Sequence, residues 1–172
     1  RNTGAALANG EYLVFLDADS RVDVDFLSRG LTEMQIRQLQ AAACYLIPDT
    51  NRFLDKVLLA ILSLGMWFFQ YTAKPIALGA AIWATKAQHD QMNGFDPTLL
   101  FGEDMEYVTV AKRNGRFAML KSKSAIYSMR RAGHEGHWQL VSKTFHCFVY
   151  HLFHYSMKGI GVTYQFGMYK KK

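Results

Sequence analysis

The chain alternates short apolar runs with longer stretches whose apolar residues recur at helical spacing. Glu11-Tyr12-Leu13-Val14-Phe15-Leu16 is a run of strand formers between Gly10 and Asp17, and it predicts a buried strand. Residues 24–39 place Phe26, Leu27, Leu31, Met34 and Leu39 at helix-like spacing, with Asp23 available as N-cap. A second strand is expected over 41–47, stopped by Pro48-Asp49. A helix follows over 51–73, then a strand over 76–84 and a short helix over 85–93 closed by Gly94. Residues 103–114 predict a helix with Gly115 just past its end, 117–120 and 125–127 two short strands, and 138–157 a long amphipathic helix. Strands alternating with helices argue for an α/β fold.

One stretch departs from ordinary amphipathicity. From Val57 to Ala73 there is no charged residue, and Trp67, Phe68, Phe69 and Tyr71 fall within it. A membrane crossing needs ~20 apolar residues, so a core helix or one lying at an interface is the better reading.

Charge is unevenly distributed. The net value is +6 over 172 residues, but before Lys121 there are 11 Lys/Arg against 13 Asp/Glu, and from Lys121 onward 9 against the single acid Glu135. The first part therefore holds the candidate metal ligands. The basic remainder, ending in Lys170-Lys171-Lys172, suits phosphates of a nucleotide sugar or an anionic lipid surface. A hydrophobic fraction of 50% excludes a disordered chain, and an aromatic fraction of 14% favours a lined cleft or a membrane interface. Cys44 and Cys147 match no metal or redox spacing and read as buried thiols of a reducing compartment. There is no helix-turn-helix, RNP-like strand or zinc spacing, so nucleic acid is not an expected partner.

Candidate chemistry concentrates in two places. Asp17-Ala18-Asp19 directly follows the first strand, where an open α/β sheet presents ligands beyond its strand ends. Two carboxylates there suit Mg²⁺ or Mn²⁺, and such a cation offsets diphosphate charge. The bland alternative is a turn with a capping aspartate. Gly94-Phe95-Asp96-Pro97 and Gly102-Glu103-Asp104 form the second place. Glu103 and Asp104 open a helix, where acids complement the dipole, or where one of them serves as a general base.

Taken in order, Arg1-Asn2-Thr3-Gly4, Ala8-Asn9-Gly10-Glu11-Tyr12, Asp17-Ala18-Asp19-Ser20, Gly94-Phe95-Asp96, Gly102-Glu103-Asp104 and Lys112-Arg113-Asn114-Gly115 resemble the motifs of glycosyltransferase family 2, inverting enzymes of GT-A fold. The resemblance implies an incomplete, Rossmann-like GT-A sheet flanked by helices, without the N-terminal strands that hold the nucleotide base. It implies transfer of one sugar from a nucleotide-sugar donor to a glycan or lipid-linked acceptor, with inversion, in cell-envelope glycan synthesis. Asp19 would hold Mn²⁺ or Mg²⁺, and Asp17 the ribose or a metal-bound water. Asp104 would be the base, and Glu103 would orient the acceptor, with exchanged roles left open. Arg130 and Arg131 would contact the leaving diphosphate. His134 or His137 would complete the metal shell, as a later histidine does in other GT-A enzymes. The Gln-x-x-Arg-Trp motif of processive synthases is absent, which favours single transfer over polymerisation.

The expected organisation is residues 1–136 as the C-terminal portion of a GT-A catalytic domain, and 137–172 as an amphipathic helix with a basic tail. The expected location is cytoplasmic, with peripheral contact at the membrane face. The competing reading is a catalytically silent fragment or a membrane-associating module.

Overall fold

The computed structural model describes residues 1–99, 101–130, 132, 136–154 and 157–158. In chain order the elements are α1 (Asn2–Leu7), β1 (Tyr12–Leu16), α2 (Phe26–Ile36), β2 (Ala41–Pro48), α3 (Phe53–Phe69), β3 (Ala81–Thr85), α4 (Lys86–Gln91), α5 (Glu103–Asn114), β4 (Phe117–Tyr127) and α6 (His137–Phe153). The strands form one sheet in the order β1-β3-β2-β4. β3 is antiparallel to both β1 and β2, whereas β2 and β4 are parallel. The C-terminal ends of β1, β2 and β4 therefore share one edge of the sheet, where β3 begins.

Both faces of the sheet are covered, so its central strands are apolar at nearly every position. Leu13, Phe15, Ala41, Ala43, Ile82, Ala84, Phe117 and Met119 pack on one face against Met105 and Val108 of α5. The alternate residues Ala42, Cys44, Ala81, Trp83, Ala118 and Leu120 pack on the other face against Phe26 and Met34 of α2. The period of two along each strand sorts these residues between the layers. Cys147 and Met157 join the α5-side cluster, so α6 is buried against the same core. Both cysteines are free and buried, and burial pushes each thiol up to about 12.

Several elements differ from the expected bounds, each for a physical reason. The first residues fold as a helix, although six residues are too few to give a periodic signal. α2 begins at Phe26 rather than 24, because Asp23 and Asp25 form an acidic turn that Lys123 clamps at 3.1 and 2.6 Å. Residues 76–80 are not a strand. The β1–β3 ladder ends at the Leu16–Ala81 pair, where β1 gives way to Asp17, so the preceding residues have no β1 strand to pair with. β4 is one strand, not two. Its register against β2 jumps from Cys44–Leu120 to Tyr45–Ser124, and residues 121–123 bulge out. The Glu33 carboxylate accepts the freed backbone N–H groups of Lys121 (2.9 Å) and Ser122 (2.8 Å), and Arg37 pairs with it. The last helix runs over 137–153 instead of 138–157.

Candidate active site

The site is assembled at the shared strand edge. Asp17 leaves β1, and a tight turn (Ser20 N–H to the Asp17 carbonyl, 3.0 Å) carries the chain past Asp19. Arg21 then pairs with Ile126 near the end of β4. That bridge ties the loop to the far side of the sheet and brings Arg130 to Asp19, Nη2 to Oδ2 3.3 Å. Both partners are more than half exposed or close to it, so this contact marks proximity more than stability. Asp49, at the end of β2, accepts the Met129 N–H at 2.9 Å and fixes the segment that bears Arg130.

Arg1 occupies the centre. Its guanidinium donates to Asp17 Oδ1 at 2.6 Å, to Glu103 Oε1 at 3.3 Å, and to Asp104 Oδ1. The carboxylate after β1 and the acidic pair opening α5 thus share one cation, which brings Asp17 and Asp104 together. The Arg1 guanidinium also lies over the Phe95 ring, 5.1 Å from its centroid. Asn2 grips the backbone of the same residue in both directions: its Nδ2 donates to the Phe95 carbonyl at 2.7 Å, and its Oδ1 accepts the Phe95 N–H at 2.9 Å. The Arg-Asn pair at the start of the chain is therefore the clasp that joins the Asp17 loop to the Gly94-Phe95-Asp96 loop.

Two glycines make the clasp possible. A Cβ on Gly79 would lie 2.6 Å from Arg1 Nη2 and closer still to Asp104 Oδ2. Gly94 has φ +71 and would place a Cβ 2.6 Å from Asn2 Oδ1. Below them, Phe15, His89, Phe95 and Tyr107 form an aromatic floor, with Phe95 stacked on Tyr107 at 4.0 Å and His89 Nδ1 bonded to the Tyr107 hydroxyl at 3.0 Å.

Electrostatics single out Asp104. Burial, then the neighbouring Glu103 charge, push its carboxyl up to about 7, although Arg1 pulls the other way. Arg1 is held above its ordinary value: burial opposes this, and Asp104 and Asp17 outweigh it.

His137 lies at the start of α6, with Nε2 2.6 Å from Oδ1 of Asp55. Asp55 is buried in the first turn of α3 and also bonds Thr50. Burial pushes the Asp55 carboxyl up, yet Thr50 and His137 bring it below the ordinary range. Arg131 and His134 lie outside the described residues. Among the described residues, no group of three or more His, Cys, Asp or Glu side chains is placed to enclose a metal ion by protein atoms alone.

The sequence reading assigned no site role to Arg1, Asn2, Gly79 or Asp55. The one trace of Arg1 in the sequence is its charge: it is the sole Lys or Arg ahead of Arg21, and it pairs with three acids. Asp55 was masked by the apolar helix in which it sits.

The model of glycosyl transferase family 2 matches residues 1–88. No curated protein sequence matches the chain. Among solved structures, S. aureus TarS 1-349 is similar with a TM-score of 0.55 at 17% identity, over 79% of this chain and 41% of that one. The same protein in complex with UDP-GlcNAc gives 0.54 at 17% identity, over 74% and 37%. Its complex with UDP gives 0.54 at 17% identity, over 74% and 38%. This chain thus spans about two fifths of the length of TarS 1-349. At this identity the likeness concerns the fold, a GT-A-like sheet between helices, as expected from the sequence. With more than half of its residues matched by the family model, the chain belongs to glycosyl transferase family 2.

Proposed function

We propose that the chain carries the metal-binding and acceptor-activating carboxylates of an inverting glycosyltransferase. It would move a single sugar from a nucleotide-sugar donor to a hydroxyl of a glycan or lipid-linked acceptor. The observation that carries this reading is the Arg1 guanidinium shared by Asp17, Glu103 and Asp104. TarS has been solved with UDP and with UDP-GlcNAc, which supports a nucleotide-sugar donor for a chain of this fold.

The donor set fits a hard divalent cation. Mg²⁺ and similar ions are commonly held by one or two carboxylates, with substrate phosphates and water completing the shell. Asp19, assisted by Asp17, would hold Mn²⁺ or Mg²⁺, with diphosphate and water oxygens in place of the expected His137, which is engaged by Asp55. The cation's contribution is to offset diphosphate charge. Arg130, already beside Asp19, and Arg131 would add guanidinium contacts to the same diphosphate.

Asp104 accepts the proton of the acceptor hydroxyl. The acceptor oxygen forms its bond to the anomeric carbon as the bond to the diphosphate breaks; the electron pair leaves with the nucleoside diphosphate, and the configuration inverts. Glu103 orients the acceptor. A carboxyl raised to about 7 combines a useful ionised fraction with real basicity near neutral pH.

The test is Asp104→Asn in a polypeptide that contains this chain and turns over a nucleotide sugar. The amide keeps the shape but cannot take a proton, so kcat should fall by about 10²–10⁴-fold with donor affinity little changed. Normal kcat with a lowered Tm would reduce Asp104 to a helix-start acid and make Glu103 the better base.

A further inference from the structure

α3 and α6 lie side by side and run in the same direction. Their starts meet through Asp55 and His137, and further along Phe69 packs edge-on against Phe148, with centroids 5.0 Å apart. At the far end Lys74 Nζ donates to the carbonyls of His151, Leu152 and His154 at 2.8–2.9 Å. Each helix buries one side in the core, α3 through Leu59 and Met66, α6 through Cys147 and His151.

The opposite side of α3 is not polar, as it is on an ordinary surface helix. α3 exposes Phe53, Leu54, Ile61, Leu64, Trp67 and Phe68, with Tyr71 just beyond, all 46–82% accessible. These positions fall on one side of the helix at intervals of three, four and seven residues. α6 adds exposed Trp138, Phe145 and Phe153, interspersed with Gln139, Ser142 and His146. Scattered exposed apolar residues are normal; a continuous row along one side of α3, with three large aromatics exposed on the neighbouring α6, is not.

We propose that this two-helix face docks onto an anionic lipid surface. The charge pattern selects that occupant. The one acid on either helix is Asp55, which is buried and bonded to His137 and Thr50. Arg52 and Lys56 stand exposed at the start of α3. A two-fold contact of this face with a second copy would bring these cations toward their own images with no acid exposed on either helix to meet them. Phosphate headgroups complement them at about 1 kcal/mol per basic residue near the surface. Trp67, Tyr71 and Trp138 are the residue types that settle at the headgroup boundary. No helix among the described residues is long and apolar enough to cross a membrane, so α3 and α6 lie in the interface plane.

Vesicle co-sedimentation of the 172-residue chain tests this, and it requires no sugar transfer, so its outcome is independent of the reaction proposed above. Phosphatidylcholine vesicles containing about one third phosphatidylglycerol should retain the chain, and added salt should weaken retention. Ile61→Gln combined with Leu64→Gln should lower the partition coefficient at least about tenfold, with circular dichroism and Tm unchanged, because both side chains are exposed. Lys56→Glu should weaken binding to the anionic vesicles only. Three results would each overturn the proposal. One is no retention by anionic vesicles, as when another part of the chain covers the face. Another is unchanged retention of the double variant. The third is a dimer by light scattering that the double variant dissolves while vesicles bind neither form.

Discussion

Asp104 is in a position that costs stability. Its carboxyl is lifted to about 7 by burial and by Glu103, whereas in the unfolded chain it titrates near ~3.9. Between those values the unfolded state has lost the proton and the folded state keeps it. The folded state must therefore lose stability as pH rises from ~4 through ~7. Asp104→Asn removes the titration, so the Tm of the variant relative to the parent should increase from pH 5 to pH 8. Arg1→Gln should enlarge the parent's loss, because Arg1 lowers the Asp104 carboxyl and its removal lifts it further. A pH-independent Tm difference between Asp104→Asn and the parent would refute the raised value. At this scale the four acids were legible in the sequence, since Asp17 and Asp19 follow a strand and Glu103 and Asp104 open a helix. The cation that joins three of them, Asp17, Glu103 and Asp104, was not. Arg1 stands outside any periodic element, and its partners lie 16, 102 and 103 residues away.

At the scale of elements, the sequence marked β1, β2 and α5 closely because each is bounded by a residue with a physical reason to end it: Asp17 and Pro48 for the strands, Gly102 and Gly115 for the helix. It overran where burial and pairing part company. Ile76, Ala77 and Ala80 are as buried as any strand residue, but no β1 strand continues beside them. That unpaired passage is where Gly79 lies against the Arg1–Asp104 pair. The Gly79 backbone is outside the left-handed region, so Gly79→Ala isolates the matter of space. Its methyl would displace Arg1 or Asp104, and a shift of about 1 Å at a reacting group can cost ~10²-fold. We expect kcat/KM to fall ~10–100-fold with a modest change in Tm. Gly30→Ala is the contrasting case. Its Cβ would meet Trp83 at 2.5 Å in the layer between α2 and the sheet, far from the clasp, and overpacking there should destabilise by ~1–3 kcal/mol. Equal kcat/KM for Gly79→Ala and the parent would show that the clasp geometry does not govern turnover.

For the whole molecule, the sheet's polarity is what makes one site from distant segments. β1, β2 and β4 all end at the same edge, so Asp17 and Asp19, Asp49, and Arg130 arrive there from three parts of the chain, and α5 supplies Glu103 and Asp104 as a fourth. Alternating strands and helices were legible from apolar spacing; the strand order was not, because an antiparallel β3 between β1 and β2 leaves no trace in periodicity. This assembly makes Asp19 the sharpest probe of cation dependence. Asp17 and Asp104 are both engaged by Arg1, so changing either would disturb the clasp as well as any cation site. Asp19 contacts only Arg130 among the described residues, through an exposed pair whose loss should cost little stability. Asp19→Ala should therefore leave Tm within a degree or two while abolishing Mn²⁺- or Mg²⁺-dependent transfer in a polypeptide that turns over donor. The same variant should weaken Mn²⁺ binding, followed by the paramagnetic resonance of the free ion in the presence of nucleoside diphosphate. Undiminished transfer by Asp19→Ala in EDTA would remove the cation from the mechanism and leave Arg130 and Arg131 to meet the diphosphate alone.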